Sequence, residues 1–174
     1  MKTKEETGLF ILKGKEKKNV LADECDKKKL LDIVQQIKIC LPFKVYAYCV
    51  LDSEARFIFK MPADAEEEVL CDIADDFTAY YRLNREIKGA VIRDARRARV
   101  FDSKDKLKKS WLELHNLPVK KEFVKRASDY WWSSYQDYSG RYLSGIVSQE
   151  PMLHLLDENI DKARKKFSSY YKKR

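Results

Sequence analysis

An α+β fold, an antiparallel sheet packed with helices, follows from three features of the sequence. Apolar residues recur at three- and four-residue spacing over 26–40 and again over 64–84, the periodicity of amphipathic helices. Between them lie two short runs of strand type, FKVYAYCVL (43–51) and RFIFKM (56–61), separated only by DSEA. Strand-like segments also precede the first helix and follow the second, at GLFILK (8–13) and GAVIRDARRARVFD (89–102).

Taken in order, GLFILK reads as a short strand leaving through a polar loop that contains Gly14. The first helix places Leu30, Leu31, Ile33, Val34 and Ile37 on one face and stops before Pro42. The next two strands form a hairpin, and in the second Phe57 and Phe59 share one face while Glu54 and Arg56 put opposite charges on the other. Asp64 is the expected cap of a helix carrying Val69, Leu70, Ile73, Phe77, Tyr80 and Tyr81. The stretch 89–102 is strand and loop, and Ser103 then caps a helix whose Leu107, Trp111 and Leu114 form one stripe, with Pro118 beyond its end. YWWSSY (130–135) reads as a clasp in which Trp131 or Trp132 buries against the sheet and Ser133 and Ser134 turn the chain. Two helix-like pieces follow, near 149–157 and 157–172. The order strand, helix, strand, strand, helix, strand matches a ferredoxin-like split βαβ sheet with helices on one face; the expected organisation is a domain over 1–140 and a basic helical tail over 141–174.

The chain has 174 residues and a net charge of +8, unevenly spread: residues 1–80 sum to −3 and 81–174 to +11. Arg82, Arg85, Lys88, Arg93, Arg96, Arg97 and Arg99 lie within 18 residues, beside Tyr80 and Tyr81. Such arginines suit bidentate phosphate contacts, and Lys165, Lys166, Lys172, Lys173 and Arg174 extend the basic set into the tail. For each tyrosine, packing competes with base stacking. The four cysteines, Cys25, Cys40, Cys49 and Cys71, form no CxxC pair and have no nearby histidine, so the expectation is reduced, buried thiols rather than a zinc site. No apolar run approaches a membrane span and the start MKTKEET lacks the apolar core of a secretory signal, so a cytoplasmic protein without a membrane is expected.

Five segments resemble, in order, motifs of the single-tyrosine HUH transposases, in particular the REP-associated tyrosine transposases. RASDYWWSSYQDYSG (126–140) resembles that family's xPxDYPWSSYxxYxG, and HNLPVKKEFV (115–124) its HLNPVRAGLV. KVYAYCVLDSEARFIFK (44–60) stands where the family has VxAYVLMPNHVHLLV, YYRLNREIKG (80–89) where it has YxRYxNRRxGRxG, and GLFILKGKEKKNVL (8–21) resembles its opening. The resemblance implies a fold in which two histidines of a strand hold a divalent metal, a tyrosine on a later helix attacks a DNA phosphate, and a polar residue one turn on completes the metal site.

Carried over position by position, the histidines fall on Glu54 and Arg56, the nucleophilic tyrosine on Glu113 and the third ligand on Leu117. His115 and His154 are the chain's two histidines, no tyrosine lies between Arg82 and Ser128, and Trp111, two residues from the tyrosine position, has an indole that cannot serve as the nucleophile. The expectation is therefore a protein without this catalysis, metal or cofactor. An ion pair of Arg56 with Glu113, Glu54 alongside, is expected in the former metal site; unpaired charges facing solvent, or a new oxygen site built from Asp52, Glu54 and Glu113, are the alternatives. The resemblance implies a DNA partner, hairpin or single-stranded, and a homodimer formed through the sheet edge. Two roles are open: an inactive, transposase-derived DNA-binding protein with a regulatory or accessory part, or an interaction subunit that keeps the fold and binds a protein partner within a larger complex.

Overall fold

A computed structural model describes residues 4–14 and 19–172. The chain runs β1 (Glu5–Gly14), α1 (Glu24–Cys40), β2 (Lys44–Val50), β3 (Glu54–Pro62), α2 (Glu66–Leu83) and β4 (Ile92–Val100). It continues with α3 (Lys104–His115), α4 (Leu117–Lys120), α5 (Tyr135–Ser139), α6 (Glu150–Leu153) and α7 (Ile160–Tyr170). The sheet order is β2-β3-β1-β4 with every pair antiparallel, the split βαβ plan that the order of elements predicts.

Local chemistry sets the element ends. The Asp23 carboxylate accepts from the Cys25 N–H at 2.7 Å to open α1, and the Ser103 hydroxyl accepts from the Lys106 N–H at 3.3 Å to open α3. Ahead of α2 a 3-10 turn, Ala63–Ala65, intervenes, so Ala65 rather than Asp64 occupies the cap position, without a side-chain hydrogen bond. Pro118 lies inside the first turn of α4, where its missing N–H costs nothing.

The crossover helices α1 and α2 share one face, over Phe10, Leu12, Phe57 and Phe59, with Phe77 of α2 in the same core. The opposite face is covered as well, by α3, α5 and α7, because β2 and β3 are apolar on both sides: Tyr46, Ala47, Cys49 and Ile58 pack against Trp111, Tyr138 and Phe167. The segment from residue 141 on, set apart as a tail by its composition, contributes Met152, Leu153, Ala163 and Phe167 to this second core.

The segment 132–148 also runs along the outer edge of β2. Val50 N–H donates to the Trp132 carbonyl at 2.8 Å, Ser134 N–H to the Tyr48 carbonyl at 3.0 Å, and Ser148 N–H to the Val45 carbonyl at 2.8 Å. The YWWSSY clasp is thus anchored by its buried serines and by buried Tyr130 and Tyr135, the Tyr130 hydroxyl donating to the Val50 carbonyl at 2.7 Å; Trp132 packs against both cores, while Trp131 is 57% exposed. Of the cysteines only Cys49 is buried; Cys25, Cys40 and Cys71 are exposed because they sit on the outward sides of α1 and α2.

Candidate nucleic-acid interface

The charges at the mouth of β3 lie on the sheet face that meets α3. Glu54 is only 8% exposed, and Arg56 donates to its Oε1 from Nε at 2.9 Å and from Nη2 at 2.7 Å. Lys13, directly opposite Glu54 on β1, brings Nζ to 3.7 Å of Oε2. Strand geometry accounts for this choice: residues two apart project from the same face, and the antiparallel register adds Lys13.

The expected pair of Arg56 with Glu113 is not formed. Both residues instead line one cleft of about 170 Å³ between the sheet and α3, together with Arg99, Ser110, Leu117 and Lys120. Glu54 satisfies the guanidinium locally, without reaching across to the helix, and leaves Glu113 in the cleft wall. Arg56, Glu113 and Leu117, inferred from sequence to be equivalent site positions, are therefore brought together, and Glu54 lies just behind them in an adjoining cavity with Lys13 and Lys121.

The carboxylates of the alternative oxygen site do not converge. Asp52 is held by buried Lys27, whose Nζ donates to Oδ1 at 2.8 Å and to the Ala22 carbonyl at 3.2 Å. Among the described residues no three His, Cys, Asp or Glu side chains are grouped so as to hold a metal ion.

The arginine-rich stretch divides into committed and available cations. Arg85 donates to both oxygens of buried Asp26, at 3.1 and 2.7 Å, and stacks on the Tyr81 ring at 4.1 Å; Tyr80 donates to the same carboxylate at 3.1 Å. These four residues tie α1 to the C-terminal end of α2 and the turn beyond it. Arg97 points toward α2 and pairs with Glu6 at 2.6 Å and Glu66 at 3.1 Å. Arg82 donates to the Gly89 carbonyl at 2.9 Å, and Arg96 is paired with its neighbour Asp94 at 3.0 Å, but both remain exposed, as do Lys88, Arg93 and Arg99. Register irregularities in β4 place Arg99 beside Leu9, and so on the cleft side, while Arg97 falls beside Phe10 on the other. In α7 Lys166 pairs with Asp157 at 2.7 Å but stays exposed, as do Lys165 and, beyond the helix end, Lys172; Lys173 and Arg174 lie outside the described residues.

Lys13, Ser110 and Lys120 complete the surroundings of the cleft and were not singled out from the sequence. Lys120 had a signal: it lies within HNLPVKKEFV, three residues beyond the position matched to the third ligand.

Beneath the cleft a buried polar bridge ties α3 to β2. His115, fully buried, has Nε2 hydrogen-bonded to the Ser134 hydroxyl at 2.7 Å, and that hydroxyl accepts from the Tyr48 N–H at 3.0 Å. Burial lowers the imidazole pKa to about 3, against a weaker opposing effect of the Trp111 carbonyl, so the ring is neutral at neutral pH. Burial likewise pushes the Cys49 thiol well above its ordinary pKa despite the nearby Arg56, which makes it a poor nucleophile.

The fold is an α+β one with an open four-stranded sheet, and it has a solved counterpart. A structure described as "Structure of the REP associates tyrosine transposase bound to a REP hairpin" is similar to this chain with a TM-score of 0.65 and 20% identity, covering 81% of each chain. No family model and no curated protein matches the chain.

Proposed function

We propose that this protein is a distant, non-catalytic relative of the REP-associated tyrosine transposases that binds hairpin DNA and does not cut it, in a regulatory or accessory role. The observation that carries the reading is Arg56: a guanidinium, held by Glu54, stands at a position matched to a metal-binding histidine and opens into a cleft with Arg99 and Lys120. A fixed cation repels a metal ion there but welcomes a phosphate. The bound hairpin of the structural counterpart supports DNA as the ligand.

The phosphate-contacting set is Arg56, Arg99 and Lys120 in the cleft, joined by Arg82, Lys88, Arg93 and Arg96 around β4. Arg85 and Arg97 act instead through the scaffold. Among the described residues β4 has a strand neighbour on one side only, and the repeated arginines along it disfavour pairing with a second copy of the same strand. A polyanion suits that edge better.

The test is a gel shift of the full chain on a single-stranded hairpin, a fully paired duplex and an unstructured strand, with products scored for cleavage. Hairpin preference that weakens steeply with salt, and a drop of about tenfold or more for Arg99→Glu with Lys120→Glu, are expected. Cleaved product in any lane would refute the non-catalytic reading. Absence of hairpin affinity at moderate salt, with a protein recovered by pull-down, would instead support an interaction subunit.

A further inference from the structure

The cleft of about 170 Å³ between the sheet and α3 holds groups that phosphate binding leaves unused. Arg56, Arg99 and Lys120 supply its positive charge, and Glu113 is the one acid among the described residues that line it. The Glu113 side chain is half-buried, so it can be reached from the cleft, and it makes no hydrogen bond or ion pair among the described residues. Ser110 lies three residues before it on α3, and so on the same side of the helix. Ser110 is 6% exposed, lines the cleft, and its hydroxyl too is without a partner among the described residues.

A carboxylate with no cation against it opposes an uninterrupted DNA backbone, which brings negative charge and whose sugar and phosphate offer it no donor. The missing donor has to come from the ligand, and the lining of the cleft says from which part. No aromatic ring lines it, so a base finds no stacking surface there, while Leu9, Leu114 and Leu117 give an apolar floor suited to the carbons of a sugar. A sugar donates only where it carries a free hydroxyl. We propose that the cleft takes a sugar hydroxyl next to a phosphodiester: the phosphate lies against Arg56, Arg99 and Lys120, the sugar hydroxyl donates to Glu113, and the Ser110 hydroxyl donates to a phosphate oxygen. Two ligands carry this chemistry, a ribonucleotide with its 2′-hydroxyl and a DNA strand end with its 3′-hydroxyl. The inference rests on the reading of this cleft as the phosphate site, and it adds a requirement that uninterrupted DNA does not meet.

The test is fluorescence anisotropy of the full chain on a DNA hairpin with short unpaired flanks, labelled in its loop. The reference strand ends in a 2′,3′-dideoxynucleotide, a second ends in a 3′-hydroxyl, and a third keeps the dideoxy end but has ribose in its flanks. At least one hydroxyl-bearing strand is expected to bind about tenfold more tightly than the reference, the effect of a hydrogen bond to a charged group. A gain with ribose alone assigns the site to a ribonucleotide, and a gain with the 3′-hydroxyl alone assigns it to a strand end. Glu113→Leu removes the acceptor and the repulsion together, so it should raise affinity for the reference and abolish the difference, a combination that damage to the fold does not give. Glu113→Gln keeps the shape and an acceptor without the charge, and should reduce the gain to about threefold. Equal binding of the three strands by the native chain, or a difference that Glu113→Leu leaves in place, would overturn the inference. If Glu113→Leu does not fold, the strand comparison and Glu113→Gln decide. The two readings fail separately: hairpins held alike whatever their hydroxyls defeat only this site, and a hydroxyl preference shown by the flanks as free single strands, without hairpin affinity, defeats only the hairpin reading. No binding of any strand overturns both.

Discussion

The two faces of the sheet solve the same burial problem with different chemistry. Against α1 and α2 the core is built around phenylalanines and aliphatic residues, with Phe59 in contact with Phe10 at 5.3 Å and Phe57 at 5.0 Å. Against α3, α5 and α7 it is built from rings with polar atoms: Trp111 meets Tyr138 at 4.7 Å and Phe167 at 5.1 Å, the Tyr138 hydroxyl donates to the Tyr46 carbonyl, and His115 bonds Ser134. The first face is filled chiefly by shape and apolar area, while the second must also accommodate buried polar atoms, of which Trp111 Nε1 and His115 Nδ1 have no hydrogen-bond partner among the described residues. It is the second face that carries the Lys13, Glu54 and Arg56 cluster and the cleft, so the polar constraints fall where a ligand would bind.

The strongest way to break this contrast is to ask whether the second face is integral to the fold. Phe167 is fully buried between Trp111, Tyr135 and Tyr138, although it lies in the last helix. Phe167→Ala is expected to cost about 3–5 kcal/mol, as for a large ring removed from a packed core. Urea unfolding followed by both fluorescence and circular dichroism should show one coincident transition at a lower midpoint. A separate early transition, leaving the rest as stable as before, would make residues 141–174 an appendage.

Acid should expose the difference between the faces next. The unfolded imidazole takes up a proton near 6.5 and the buried His115 only near 3, so between these values the unfolded state holds more protons. Stability therefore falls as pH falls through that window, by on the order of a few kcal/mol at its lower end. Asp137 works in the opposite sense: burial raises its pKa above 3.8, so the native state takes up that proton first and recovers part of the loss. His115→Gln should flatten the difference in urea midpoint between pH 7 and pH 4. An unchanged pH dependence would mean that His115 is not the titrating group.

How much of this was legible beforehand follows from the range of the interactions. The helix at Leu30 to Ile37, the hairpin around DSEA and the Ser103 cap depend on residues within a turn or two, and the sequence displays them directly. Arg85 looked like a phosphate ligand because its partner Asp26 is 59 positions away and nothing local marks the pair. The docking of Phe167 was hidden for the same reason: a basic composition marks 157–172, while three of its aromatic neighbours lie around Trp111 and Tyr138. At the candidate site, alignment brought Arg56, Glu113 and Leu117 to one cleft but could not tell which carboxylate the guanidinium would take. That choice turned on strand pleat and register, which favour Glu54.

The smallest effect tests that choice. Arg56→Met leaves Glu54, 8% exposed, with only Lys13 at 3.7 Å among the described residues, and is expected to cost about 1–2 kcal/mol. The cost stays below that of a fully buried pair because 27% of the Arg56 side chain is in water. Glu54→Gln made together with Arg56→Met should restore most of the loss, giving a coupling of about 1 kcal/mol in a double-mutant cycle. Glu113→Gln, with no ion pair to Arg56 to lose, should shift stability by less than about 0.5 kcal/mol. If Glu113→Gln instead couples to Arg56 and Glu54→Gln does not, the ion pair spans the cleft and the local pairing is wrong. Magnesium or manganese gives an independent measure on the native chain: with Arg56 against Glu54 and Lys27 against Asp52, a divalent ion finds no free carboxylate set among them, and the unfolding temperature should not move. A large rise on adding either ion would mean that those carboxylates leave their cations for the metal.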